Sequence, residues 1–564
     1  MKFEDYTYVR PNLAAITTKF NSLLERFNQA GSAAEQSKAM LEINQLRNDA
    51  GTMFNLCYIR HSIDTTDEYY KAEQDFIDEI SPEIEGLTTK YYQALVESPY
   101  RRELEEKWGM QLFALAESQL KTFKPEIVPL LQKENRLSTE YTKLIASAKI
   151  NFEGEERTLA QLEPFTEVID REVRKRATEA KFHFLAEHQS ELDRIFDELV
   201  KIRTEIAQTL GYQNFVELGY YRMMRTDYDA EMVERFREQV KEHIVPIATK
   251  LKQRQKARIG VDSLKYYDEG FNFQTGNAVP KGSPEWIMEN GQKMYNELSS
   301  ETGEFFQYMQ DHHLLDLVAK KGKAGGGYCT YIENYKSPFI FSNFNGTSGD
   351  IDVLTHEAGH AFQVYSSRTF EIPEYYWPTY EACEIHSMSM EFFTWPWMKL
   401  FFKEDTDKYL FTHLSNALLF LPYGVAVDEF QHWVYENYEA TPKERNHKWR
   451  EMEKKYLPHK DYDGNEYLEN GGFWQRQSHI YNSPFYYIDY TLAQICAFQF
   501  WKRSRENHAE AWADYVKLCK LGGSMSFTKL VEAANLISPF ENGCIQSVVG
   551  EIEKWLDSIE DQKV

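Results

Sequence analysis

Cysteine pairs are missing from this chain of 564 residues: Cys57, Cys329, Cys383, Cys496, Cys519 and Cys544 lie far apart and form no C-x-x-C unit. That spacing excludes a disulfide frame and a cysteine-built zinc site, and it reads as reduced, mostly structural thiols. An export leader is not expected either, because Met1-Lys2-Phe3-Glu4-Asp5-Tyr6 is acidic and polar with no apolar stretch behind it. No apolar run approaches the roughly 18 residues of a membrane span. The expectation is a cytoplasmic protein with no membrane partner. Positive charge is in deficit, 64 basic residues against 88 acidic ones for a net charge of −24. Such a chain repels phosphate backbones, so nucleic acid is not an expected partner. Internal repeats and low-complexity tracts are lacking, as is any signal for an oligomeric state.

What is present is a large soluble core. Hydrophobic residues make up 42% and charged residues 27% of the chain, with 36 Tyr and 36 Phe, enough for about three to four domain-equivalents. Leu23, Leu24 and Phe27, then Met40, Leu41, Ile43 and Leu46, recur at helix spacing between charged positions. Pro82, Pro99, Pro125 and Pro129 divide that first third into separate helices. The chain is therefore read as mainly α, in packed helical layers.

Two places break the helical pattern. Residues 149–159 read as a small hairpin turning at Glu153-Gly154. Four glycines between Gly322 and Gly327 lead into Tyr328-Cys329-Thr330-Tyr331-Ile332, and Phe339 to Phe344 follows Pro338. Both runs are β-branched or aromatic, so a small sheet is expected beside the segment that follows. An exposed edge at Phe339 to Asn345, with Phe341 and Asn343 as contacts, could take up a peptide as an added strand; an ordinary buried strand fits equally well. Ser283-Pro284-Glu285 is a helix start, and Gly260 to Lys281 reads as a long irregular connection, a surface linker before a mobile loop.

The chemistry is carried by His356-Glu357-Ala358-Gly359-His360. Four residues advance a helix by about 400°, so both imidazoles leave one face and can share one ion. Glu357 stands beside the first ligand, where it can take a proton from a water at that ion. The pentapeptide alone would arise by chance in about one such chain in twenty-five, so its setting decides. Thr347-Ser348-Gly349-Asp350 supplies a helix start, and Ile351, Leu354, Ala358, Ala361, Phe362 and Tyr365 supply an apolar face. Motif and expected helix agree.

A third ligand must follow. Ser366 stands where an eleven-residue zincin motif places His, which excludes that class. Glu381, Glu384, Met388 and Glu391 fall on one helical face, and spacing alone does not separate Glu381 from Glu384. Nearer the C-terminus, Asn482 or Ser483 caps an expected helix from Pro484 that places Tyr486 and Tyr490 on one face, with His479 just upstream. Those rings are either an aromatic core cluster or donors for an oxyanion.

With Glu384-Ile385-His386-Ser387 and Glu391 following the first motif, the sequence resembles the thimet oligopeptidase and oligoendopeptidase F family of zinc peptidases, nearest the oligoendopeptidase F and Pz-peptidase-like branch. Only Glu384 matches that family's ligand together with its following Ser and second Glu, so the resemblance implies His356, His360 and Glu384 around one zinc ion per chain. It implies Glu357 as base, Tyr490 and His479 as oxyanion stabilisers, and Tyr486 and Tyr487 as substrate contacts. Asp352 or Glu391 would orient a metal-bound imidazole. The implied fold is a two-lobed α-helical zincin with a deep central channel, residues 1–190 as the N-terminal lobe and 191–564 as the catalytic region. The implied activity is hydrolysis of internal bonds in short unfolded oligopeptides. Gln363 departs from the family, which commonly has His there. Two rivals stand: a zinc carboxypeptidase, which needs a cationic group for the substrate's C-terminus, and a non-catalytic peptide-binding protein with a vestigial motif.

Overall fold

The computed structural model describes residues 1–320 and 322–561; 71% of the chain is helical, with one sheet of two strands and one of three. Helix starts follow the expected side-chain chemistry. Ser32 accepts from Glu35 N to open Ala33–Ile63, and Ser283, followed by Pro284, opens Pro284–Leu298. These oxygens fill donors that the first helical turn leaves bare. Pro82 departs from its expected role, since it lies inside the continuous helix Glu68–Val96. A proline there gives up one i→i−4 bond, and Ile77, Ile80, Leu87 and Tyr91 keep the helix packed on both sides of the loss.

The apolar side chains gather into two large cores. The smaller joins Phe20, Phe27, Met40, Tyr91 and Phe113 of the N-terminal helices and also takes in Ile372 and Tyr375. The larger draws on residues from Phe3 to Leu556, Leu56 and Ile59 among them, and includes the three-stranded sheet. The segment around Tyr375 thus belongs to the N-terminal core while leading directly into the catalytic helices.

The hairpin forms as expected from β1 (Ile150–Phe152) and β2 (Glu155–Arg157). Glu153 and Gly154 both have positive φ, 53° and 80°, the twist a two-residue hairpin turn needs. The larger sheet holds β3 (Leu315–Val318), β4 (Tyr328–Ile332) and β5 (Ser337–Phe344) in the order β3-β5-β4. Here the structure corrects the sequence reading. Strand β5 is not an exposed edge; it is the central strand, parallel to β3 and antiparallel to β4. The edge beside the following helix is β4.

Residues 261–283 are irregular, as expected, but they are neither a loose linker nor a mobile loop. Tyr266, Tyr267, Asp268, Phe271 and Phe273 are buried there. Asp268 receives Arg171 at 2.7 Å and Arg174 at 3.0 Å. A second correction concerns apolar length: Lys399–Glu436 is long and apolar enough to cross a membrane by length and composition alone, and its most apolar stretch is 56% buried inside the molecule. It carries buried Asp428 and His432, paired with each other and, through Asp428, with Arg237 at 2.6 Å, which is how a core helix is satisfied.

Replacing Asp268 by Ala leaves the fully buried Arg174 guanidinium without its carboxylate. Denaturant unfolding is expected to show a loss of about 3–5 kcal/mol, whereas Arg171→Ala, at a side chain 39% exposed, costs much less. Equal losses would show that the buried pair does not anchor this segment.

Candidate functional site

Three helices build the site. The motif helix Gly349–Ser367 follows β5 and lies against the sheet; the ligand helix Tyr380–Phe393 packs across it; Tyr487–Glu506, the tyrosine helix, packs on the ligand helix in turn. The crossing of the first two depends on Gly359. A Cβ at that position would stand 2.6 Å from His386 O and 2.7 Å from Ser387 Cα, so only glycine lets the ligand helix come this close.

That approach delivers Glu384 between the two motif histidines. Its Oε2 lies 3.3 Å from His356 Nε2 and 3.4 Å from His360 Nε2, and one donor atom from each residue falls within 4.8 Å of the others. Ligands about 2.0–2.1 Å from a tetrahedral zinc ion stand about 3.3–3.4 Å apart. The donor set fits the ion in chemistry, and both separations from Glu384 match that spacing. Burial opposes the charge on Glu384, but the flanking imidazoles outweigh it and hold the carboxyl well below its usual range. Ser387 donates to Oε2 at 2.9 Å and Tyr486 to Oε1 at 2.9 Å. Glu381 points elsewhere: it is buried, accepts from Thr379, and is influenced by Asp489.

An outer layer fixes His356. Its Nδ1 is 2.7 Å from Glu391 Oε1, and His413 Nε2 is 2.8 Å from Glu391 Oε2. Trp395 Nε1 donates to His413 Nδ1 at 3.2 Å, so His413 carries its proton on Nε2 and donates it to Glu391. With Glu391 accepting from His356 Nδ1, the lone pair on Nε2 faces the ion site. Asp352 does not share this role; it accepts from Tyr409 at 2.6 Å, and burial pushes it up to about 6.

Glu357 is 8% exposed and its Oε2 has no hydrogen-bond partner. Burial raises its pKa, which suits a group that must take up a proton. It faces a cleft of about 590 Å³ whose wall includes Gly327, Tyr328, Cys329 and Thr330 at the β4 edge, and Tyr92, Gln111 and Leu115 from the N-terminal helices across from them. Burial also pushes the Cys329 and Cys383 thiols on this wall upward, so both stay uncharged.

The helix expected from Pro484 begins instead at Tyr487, because Phe485 adopts a left-handed conformation with φ 69°. Gln431 accepts from Phe485 N at 3.0 Å and Arg225 donates to its carbonyl at 2.6 Å, while Arg225 also pairs with Asp489 at 2.8 Å. The turn these contacts hold brings Tyr486 and Tyr490 to the cleft wall. Tyr486 is committed to Glu384. The Tyr490 hydroxyl lies 3.5 Å from His479 Nε2. Tyr423 donates to Gln477 Oε1 at 2.8 Å, which turns the Gln477 amide nitrogen toward His479 Nδ1 at 2.8 Å. His479 therefore presents Nε2–H toward Tyr490. Burial lowers the His479 pKa and raises that of Tyr490, so both remain neutral donors.

Tyr487 packs edge-on against His479 and Tyr490, rings 5.1 and 5.6 Å apart, and against Phe420 and Tyr423, so it backs this group without lining the cleft. Phe341 and Asn343 do not join the group. Phe341 is fully buried beneath Tyr328, rings 4.8 Å apart, as a central strand requires. Asn343 Nδ2 donates to the carbonyls of Ala324 and Gly326 at 2.8 Å each and so ties down the glycine loop. His413, Trp395, Gln477 and Tyr423 were not singled out from sequence, since only tertiary contact brings them to the site.

The profile described as the Peptidase M3 N-terminal domain matches residues 3–123, and that described as Peptidase family M3 matches residues 165–549. The chain is 70% identical to Pz peptidase A, solved with an inhibitor, with 100% of each chain covered and a TM-score of 0.97. It is 65% identical to a structure described as an oligoendopeptidase F from Bacillus anthracis, covering 100% of this chain and 99% of that one, with a TM-score of 0.93. It is 23% identical over 552 residues to an oligoendopeptidase F homologue of Borreliella burgdorferi, covering 93% of this chain and 87% of the relative.

Gly359→Ala pushes the two ligand-bearing helices apart. Divalent-metal affinity, measured by competition with a chromogenic chelator, is expected to fall about 10- to 100-fold. Unchanged affinity would mean that the close crossing does not position Glu384.

Proposed function

Because the chain belongs to peptidase family M3 and is a metallopeptidase, we propose that it is a zinc oligoendopeptidase that cleaves internal bonds of short unfolded peptides. The observation that carries this reading is the placement of Glu384 Oε2 3.3 and 3.4 Å from the two motif imidazoles, the spacing of zinc ligands, beside the unpaired oxygen of Glu357. Zinc, when bound there, supplies Lewis acidity to the scissile carbonyl and the attacking water. Glu357 accepts the water's proton on its unpaired oxygen and passes it to the departing amine. Tyr490, with His479 behind it, donates to the oxyanion as charge develops. Tyr486 holds Glu384 in register. The β4 edge at Tyr328 to Thr330 takes the substrate as an added strand, which grips backbone without reading sequence.

The opposite wall comes from the proposed N-terminal lobe, residues 1–190, facing a catalytic region of residues 191–564. A cleft set between them supports a preference for thin, unfolded chains. No lysine or arginine stands among the described residues that line it. A carboxypeptidase needs a cation for the substrate's terminal carboxylate, so this lining favours the endopeptidase. A cytoplasmic location is part of the proposal; six unpaired thiols, four of them buried, support it.

An internally quenched peptide blocked at both ends separates the readings. The zinc-loaded enzyme is expected to cleave it, and Glu357→Gln to lower kcat by about 10²- to 10⁴-fold while retaining zinc. An intact blocked peptide, with free-carboxylate peptides trimmed from the C-terminus, would replace the endopeptidase by the carboxypeptidase.

A further inference from the structure

The lining of the cleft that holds the ion site contains a second carboxylate with an uneven set of partners. Glu374 Oε1 accepts from Arg47 at 2.6 Å and from the Tyr92 hydroxyl at 2.6 Å. Its Oε2 is buried and has no hydrogen-bond partner. Both donors crowd one oxygen. The side chain is 7% exposed and lies on the cleft wall.

Gln111 offers the complementary irregularity. It is 7% exposed, lies on the same wall, and its Nε2 likewise has no partner. A buried amide or carboxylate oxygen left unpaired costs free energy comparable to a lost hydrogen bond. Two such atoms of opposite polarity, one acceptor and one donor, thus belong to residues that line one cleft. Arg47 is held in place beneath Glu374, with Nη1 on Asn44 Oδ1 at 3.0 Å and Nη2 3.2 Å from the Tyr92 hydroxyl, so it is not free to turn and satisfy Oε2.

The charge around them selects the ligand. Glu357, Glu374 and Glu384 all line the cleft, with no lysine or arginine among the described lining residues. Glu357 and Glu384 serve the ion and the proton; Glu374 serves neither. We propose that Glu374 and Gln111 form a substrate subsite for a cationic nitrogen of the peptide, Glu374 Oε2 accepting from the cation and Gln111 Nε2 donating to a neighbouring peptide carbonyl. This rests on the oligopeptidase reading and adds a substrate class to it. The cation is a lysine or arginine side chain or the peptide's terminal ammonium, which share this chemistry. The purely structural alternative is a staple between the N-terminal core and the segment leading to the ligand helix.

The test uses zinc-loaded enzyme and one internally quenched peptide sequence in three forms. One is neutral and blocked at both ends, one carries lysine in place of norleucine at each position in turn, and one has a free amino terminus. The ratio of kcat/KM for a cationic form to that for the neutral form is expected to reach about tenfold at one position, in line with a hydrogen bond to a charged group. That ratio falls toward one in Glu374→Gln, whereas Gln111→Leu, which removes a contact to a carbonyl present in every form and leaves Arg47 and its partners untouched, raises KM for all forms without changing the ratio. A gain confined to the free-amine peptide assigns the cation to the terminus, and a gain with lysine assigns it to a side chain. A flat ratio in the wild type, a Glu374→Gln variant that slows every peptide equally, or an unmoved KM in Gln111→Leu overturns the subsite while leaving the peptidase standing. Failure to cleave any form would overturn the peptidase reading itself.

Discussion

The site depends on how closely two helices can cross at Gly359. The motif helix supplies two imidazoles one turn apart, which its own periodicity guarantees. A third donor has to come from another helix, and Glu384 has only a short side chain with which to reach. With a Cβ position 2.6 Å from the His386 carbonyl, the backbones are in contact, and Glu384 arrives between His356 and His360. Everything farther out follows from that contact. Glu391, two turns along the same helix, comes level with His356, and the tyrosine helix packs on the ligand helix so that Tyr486 reaches Glu384 from the opposite side.

Burial gives these polar groups their force and requires that each be answered. Glu391 is answered by two imidazoles, and His413 in turn by Trp395. The turn at Phe485 is answered by Gln431 and Arg225, and Arg225 by Asp489. In a low-dielectric interior such networks fix orientation more than they add stability. Among the buried atoms left without a partner, Glu357 Oε2, Glu374 Oε2 and Gln111 Nε2 belong to residues that line the cleft. A reacting peptide can supply partners to all three.

Features that depend on local spacing were legible in the sequence. The H-E-x-x-H pair, the helix that bears it, the hairpin at Glu153-Gly154 and the start at Ser283 each follow from residues within a turn or two of one another. The choice of Glu384 over Glu381 was not a matter of spacing, since both lie on one helical face; resemblance made it, and the structure shows Glu381 buried and bonded to Thr379. Sheet order was illegible because β3, weakly marked in sequence, pairs with β5 and makes it central, which moves the free edge to β4. The left-handed Phe485 was hidden because a buried phenylalanine gives no sign of positive φ. His413, Gln477 and Tyr423 reach the site through tertiary packing alone, and no motif announces them.

The central claim is that His356, His360 and Glu384 together hold zinc. Anomalous diffraction recorded on both sides of the zinc absorption edge from crystals of the purified protein tests it directly. One full-strength peak per chain is predicted, about 2.0–2.1 Å from His356 Nε2, His360 Nε2 and a Glu384 carboxylate oxygen. No edge-dependent peak at that point in zinc-supplied crystals, or a peak bound by Glu381 in place of Glu384, would contradict it.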